Sequence, residues 1–144
     1  MIVVEESRNI DLPRLRTIFL NERQRTFTEQ DTSEFKLEDF DKQTQGEYIL
    51  TALIDNIAVG FISIWMPNNF IHHLYVDTIY QGKNIGTQLL QAAIQKTAFP
   101  ITLKCLVSNT KATEFYLKKG FREKSKGQSS NGTYILFELT KDVK

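Results

Sequence analysis

Residues 80–90 read Tyr80-Gln81-Gly82-Lys83-Asn84-Ile85-Gly86-Thr87-Gln88-Leu89-Leu90, a glycine-bearing loop that runs into an apolar-periodic segment. Ile85, Leu89, Leu90, Ala93 and Ile94 fall on one face of a helix, so a helix starts at about Ile85. Such a start collects unpaired backbone N–H groups and the positive end of a dipole, which together suit a phosphate. Gly82 and Gly86 allow a ligand to approach the backbone with no Cβ between them. Thr87 adds a hydroxyl donor and Lys83 a positive charge. Two glycines alone describe an ordinary helix-capping loop equally well. Two named phosphate motifs do not fit: no Lys-Ser/Thr pair follows Gly86, and the third glycine of a dinucleotide fingerprint is missing.

The chain on either side alternates between strand and helix patterns. Residues 2–5 form a short β-rich run, and Asp11 is placed to cap a helix that carries Pro13 in its first turn. Leu12, Leu15, Ile18 and Phe19 share one face of that helix, which runs to about Arg25. Residues 26–46 are polar apart from Phe27, Phe35, Leu37 and Phe40, with a short second helix expected near residues 37–42. Residues 48–54 and 57–65 flank Asp55-Asn56, a two-residue hairpin signal, and residues 70–76 form a third strand after the turn at Pro67-Asn68-Asn69. Beyond the central helix come Pro100, a strand over 101–107, a helix over 111–119 ended by Gly120, and a closing hairpin of 121–126 with 133–139. The order β-α-α-β-β-β-α-β-α-β-β predicts an α/β (α+β) fold. Its sheet is mixed and mostly antiparallel, of about seven strands, with about four helices on both faces.

A chain of 144 residues is about one domain and buries roughly 70% of its unfolded surface, so residues 1–144 are read as a single unit. Hydrophobic residues make up 41% and charged residues 24%, an ordinary globular balance. The lone cysteine, Cys105, has no partner for an internal disulfide and reads as a small core residue. A formal net charge of +1 supplies no field to draw in nucleic acid or an anionic membrane. The sequence shows neither a membrane-spanning apolar run nor a signal-peptide pattern, so a cytoplasmic location is expected.

Three further features frame the loop. Leu74-Tyr75-Val76 closes the strand before it, Asn109 and Ala112 follow the next strand, and Phe115-Tyr116 and Gly120-Phe121 lie at the end of the next helix. Together these resemble the GNAT superfamily of acyltransferases, whose hallmark is Gln/Arg-x-x-Gly-x-Gly/Ala at the start of the central helix. Here the hallmark reads Gln81-Gly82-Lys83-Asn84-Ile85-Gly86. The resemblance is dense over residues 70–122 and thinner before them. Asn84 stands where the family has glycine; after glycine, asparagine is the residue that best tolerates a left-handed backbone.

The resemblance implies that strands 70–76 and 101–107 splay, and that the pantetheine arm of acetyl-CoA inserts between them. Its expected cofactor-binding residues are Leu74, Tyr75, Val76, Gln81, Gly82, Lys83, Asn84, Ile85, Gly86, Thr87, Asn109 and Tyr116. Tyr116 matches the family's general acid, and Lys118 is placed to reach the 3′-phosphate or to stand solvated. His72 is the candidate base, with a structural histidine as the competing reading and Asp77 as a further carboxylate. Strand alternation puts His72 on a face with Phe70, Leu74 and Val76, opposite His73. The acceptor pocket is expected from residues 23–40, with Phe61 and Trp65 as walls.

The implied reaction moves an acetyl group directly to a primary amine of a small molecule or peptide, with no covalent enzyme intermediate. Alternatives are a protein N-terminal or lysine acetyltransferase and a non-catalytic acyl-CoA-binding module. An enzyme acting on aminoacyl-tRNA is disfavoured by the charge balance. No Cys/His/Asp cluster has metal-ligand spacing, so no metal is expected. The assembly is expected to be a monomer or homodimer.

Overall fold

A computed structural model of the chain describes residues 1–27 and 31–141. In chain order these form β1 (Ile2–Glu6), α1 (Leu12–Thr26), α2 (Asp39–Gln43), β2 (Tyr48–Ile54), β3 (Ile57–Trp65) and β4 (Phe70–Val76). Then follow α3 (Ile85–Lys96), β5 (Ile101–Leu106), α4 (Thr110–Lys118), β6 (Arg122–Ser129) and β7 (Gly132–Leu139). The seven strands make one sheet in the order β1-β2-β3-β4-β5-β7-β6. The architecture is the mixed sheet flanked by helices that the sequence predicts.

Local chemistry explains the connections. Asp55 and Asn56 both take left-handed φ angles, 50° and 65°, which a two-residue turn between twisted strands requires. The β4–β5 pair is parallel, because α3 carries the chain across the sheet between them. Ile85, Leu89, Leu90 and Ala93 of α3 and Tyr116 of α4 pack on one face of the sheet. Leu15, Ile18 and Phe19 of α1, with Phe40 of α2, pack on the other against Leu53, Ala58 and Phe61. Each fully buried Leu, Ile or Phe among them stabilises the fold by about 1.5–3 kcal/mol.

Two expectations fail here. Asp11 does not cap α1 with its side chain. Pro13, at the second helical position, has no N–H to offer a cap. The buried Asp11 carboxylate instead receives Nε and Nη2 of Arg8, each at 3.0 Å. Those bonds hold its carboxyl below the usual range, against the opposing effect of burial.

The second concerns β4. Ser63 pairs with His73 and the next residue, Ile64, pairs with Ile71, so His72 is an extra residue in a β-bulge. The bulge shifts the alternation. Ile71, Leu74 and Val76 pack on the α3 side, whereas Tyr75 packs on the α1 side and His73 meets Phe19 edge-on at 4.8 Å. His72 and His73 therefore do not point to opposite faces: their rings stack with centroids 3.8 Å apart.

Candidate active site

β4 and β5 pair only at Phe70↔Thr102 and Ile71↔Leu103, then diverge. The outer edges of both strands stay occupied, Val76 by Gly60 of β3 and Leu106 by Tyr134 of β7. Among the described residues, no strand pairs with the inner edge of β4 beyond Ile71, and its backbone groups, apart from the Val76 carbonyl that accepts Gln81 Nε2, are free for an extended ligand. Two cavities meet at this opening. One, of about 790 Å³, lies against the 80–87 loop and the start of α4. The other, of about 520 Å³, lies among α1, β4, β5 and the β6–β7 turn. Both fall within the volume range of small-molecule sites, roughly 300–1,000 Å³. Leu74, Tyr75, Asn109, Ala112 and Tyr116 line both.

The larger cavity carries the predicted loop. Asn84 takes φ 68° and ψ 17°, the left-handed conformation expected of a glycine substitute, and gives α3 no side-chain cap. The first amides of α3 are therefore left for another acceptor. A Cβ on Gly86 would meet Phe115 only at 3.7 Å, ordinary contact, so internal packing does not demand glycine there. Gly82 has a φ of 83° and nothing within 4 Å of where its Cβ would stand. Gln81, Ile85 and Thr87 complete this wall, whereas Lys83 and Lys118 do not line it. Open amides, a bare backbone and a neighbouring unpaired strand edge suit a nucleotide diphosphate with an extended arm.

Residues that the sequence reading passed over hold this wall in place. The buried Glu22 carboxylate accepts Thr78 N–H at 3.0 Å and the Thr78 hydroxyl at 2.8 Å, and lies 3.4 Å from Gln81 Nε2. Gln81 Nε2 also donates to the Val76 carbonyl at 2.9 Å, and its Oε1 accepts Lys111 Nζ at 3.0 Å. Glu22 was legible in principle, since it sits on the apolar stripe of α1 one turn beyond Ile18 and Phe19. Asp77, the alternative base, is bonded to Arg14 at 3.0 Å and lines neither cavity.

Tyr116 stands where the cavities join. Its ring packs edge-on against Phe115 and Phe121, and burial raises its phenol pKa, so the hydroxyl stays protonated at neutral pH. Burial pushes Tyr75 up to about 12. Asn109 turns its Oδ1 to the Ala112 N–H at 3.2 Å, capping α4 at the cavity rim. Cys105 lines the smaller cavity, but burial raises its thiol pKa, which makes it a poor nucleophile.

On the other side of the opening, His72 lines the smaller cavity and its Nδ1 lies 2.6 Å from Glu47 Oε2. His73 is buried and held neutral, its pKa lowered to about 3 by burial and by the nearby His72 and Arg23 charges. Glu47, His72 and His73 thus bring one nitrogen or oxygen donor each within 4.8 Å. Sequence spacing gave no such cluster; the bulge and the approach of Glu47 create it.

Only part of the segment expected to build the acceptor pocket lines the smaller cavity. Arg23, Phe27 and Phe35 line the smaller cavity, joined by Phe70, Ser129 and Tyr134. Phe61 is instead core, and Trp65 lies outside the wall beside Gly46. Arg23 is committed to the fold: Asp39 accepts its Nη2 at 3.0 Å, and Phe19 and Phe35 flank it at 4.1 and 4.2 Å. Residues 28–30 of the expected acceptor segment lie outside the described residues. Among the described residues, no helix is long and apolar enough to cross a membrane.

The acetyltransferase (GNAT) domain family matches residues 18–137, so the chain belongs to the GNAT acetyltransferases, the class of acetyl-CoA-dependent N-acetyltransferases. Solved structures of that fold cover nearly the whole chain. A GCN5-related N-acetyltransferase of Rhodopseudomonas palustris is 22% identical with a TM-score of 0.76, over 96% of this chain and 94% of its own. The PaiA N-acetyltransferase of Thermoplasma acidophilum, solved with coenzyme A, is 21% identical with a TM-score of 0.75, over 98% and 99%. The ribosomal-protein-S18-alanine N-acetyltransferase of Escherichia coli is 18% identical with a TM-score of 0.73, over 100% and 96%. No curated protein matches the chain by sequence.

Proposed function

We propose that the chain acetylates a primary amine of a small molecule or short peptide, binding acetyl-CoA along β4 and the amine in the smaller cavity. The observation that carries this reading is the opening between β4 and β5, where both cavities meet at the Tyr116 side chain. The α3 amides and the 81–87 backbone receive the pyrophosphate, and the open edge at Leu74, Tyr75 and Val76 receives the pantetheine amides. PaiA, of the same fold, was solved with coenzyme A, which supports this placement.

Acetyl-CoA supplies an activated acyl carbon and a sulfur leaving group. His72 takes the proton that the amine sheds as the C–N bond forms. Tyr116 donates its hydroxyl hydrogen to the sulfur as the C–S bond breaks. A phenol raised above its ordinary pKa is a weaker acid than a thiol near ~8.5, so this role is hydrogen-bond donation rather than complete proton transfer. Leu103, Cys105 and Leu106 keep one wall of the acceptor cavity largely apolar.

A cavity of about 520 Å³ with aromatic walls favours a small amine or the end of a peptide over a folded protein surface. The test is thiol release from acetyl-CoA with an arylalkylamine, a polyamine, an amino sugar, a lysine peptide and an alanine-terminated peptide. Release with one of the small amines is expected. Release with the lysine or alanine-terminated peptide alone would move the acceptor to proteins.

A further inference from the structure

Glu47 carries no motif and lines neither cavity, yet its side chain is only 6% exposed. Burying a carboxylate is costly unless something compensates it. Among the described residues, the side chain bonded to it is His72, whose Nδ1 lies 2.6 Å from Oε2; Oε1 is buried with no partner. A carboxylate only accepts hydrogen bonds, so the tautomer of His72 that satisfies this contact is the one with its hydrogen on Nδ1. That tautomer leaves the lone pair on Nε2, on the side of the ring away from Glu47.

Two further contacts fix the ring. His73 stacks on it at 3.8 Å with an interplanar angle of 28°, and Phe70 lies 6.2 Å away. The bulge lifts His72 out of the regular alternation, and its ring forms part of the acceptor cavity wall. A base whose far nitrogen is held by a third group is the arrangement that activates a nucleophile. His73 is unsuited to that task, because it is buried and burial lowers its pKa to about 3.

We propose that Glu47 is a positioning residue for acetyl transfer: it holds His72 through Nδ1 and so presents an unprotonated Nε2 to the acceptor amine. The proposal rests on the acetyl-transfer reading and adds a residue to it. As the amine nitrogen bonds the acetyl carbon and the C–S bond breaks, one amine proton moves to Nε2. The positive charge this creates on the ring is opposed by the Glu47 carboxylate, and the proton then leaves to solvent.

The test combines ¹⁵N spectra of the histidine side chains with steady-state kinetics of Glu47→Gln and His72→Ala. Kinetics use acetyl-CoA and the amine that the wild type acetylates fastest. The wild-type spectrum should show neutral His72 with its hydrogen on Nδ1, and Glu47→Gln should shift the tautomer balance towards Nε2–H. Glu47→Gln should lower kcat by roughly 10- to 1,000-fold with KM for acetyl-CoA unchanged, a loss short of that for a misoriented triad histidine. A wild-type His72 with its hydrogen on Nε2 would overturn the proposal even if the variant failed to fold. Turnover lost in His72→Ala but kept in Glu47→Gln would overturn the role of Glu47 alone. Full turnover in His72→Ala would remove the base assignment and the proposal with it.

Discussion

The Glu22 carboxylate on α1 accepts the backbone N–H of Thr78 at 3.0 Å, joining residues 56 positions apart in the chain. Through its contact with Gln81 it also reaches the loop that opens α3. One helix of the N-terminal half is thereby tied to the wall of the larger cavity. Glu22→Ala leaves the Thr78 amide and hydroxyl without this acceptor, and a lost bond to a charged partner costs about 1.5–3 kcal/mol. Urea denaturation should show that loss. Calorimetry should show acetyl-CoA affinity falling about tenfold, equivalent to about 1.4 kcal/mol. Unchanged affinity would mean that the loop holds its shape without α1.

Asn84 sits at φ 68°, where a residue with an ordinary Cβ pays about 1–2 kcal/mol and glycine pays nothing. Asn84→Gly is expected to fold and bind acetyl-CoA as well as the parent. Asn84→Val should lose both stability and binding. Thermal melts with and without acetyl-CoA check this; equal behaviour of the two variants would contradict it.

His73 gives the chain an acid-sensitive core. Its folded pKa is lowered to about 3, while an unfolded imidazole titrates near ~6.5. Between those values the unfolded state binds the extra proton, so stability rises with pH and is lost as pH falls from about 6.5 towards 3. The slope is at most about 1.4 kcal/mol per pH unit. His73→Phe, which keeps a ring beside Phe19, should flatten that slope. Urea midpoints at pH 7, 6 and 5 measure it, and parallel slopes in the two proteins would refute the buried neutral histidine.

Much of this fold is written locally. Asp55-Asn56 names its own turn, β4 runs over the 70–76 strand segment between Asn69 and Asp77, and Asn84 takes the backbone that its place in the motif demands. The bulge at His72 is different, because it arises from how β3 and β4 pair, and strand periodicity carries no register between strands. The same limit hid Glu47, which is brought to His72 only when the chain before β2 folds back beside β4. Phe61 and Trp65 were expected as acceptor walls from their place on the neighbouring strand, yet Phe61 fills the core with Phe19 and Phe40. Ser129 and Asn131 reach the smaller cavity from the far hairpin, a contact that no local pattern announces.

Tyr116 is where the two cavities meet, and it decides whether this opening is a catalytic centre or only a binding cleft. Tyr116→Phe keeps the buried ring and removes one hydroxyl, so the core packing survives. Thiol release from acetyl-CoA, followed with and without the acceptor amine in wild type and Tyr116→Phe, isolates that hydroxyl. The wild type should release thiol in an amine-dependent way. The variant should be slower by about 10²–10³-fold while binding acetyl-CoA equally well, the usual cost of losing one donor to developing charge. Equal, amine-independent rates in the two proteins, with acetyl-CoA bound to both, would show a cleft that holds the thioester without transferring its acetyl group.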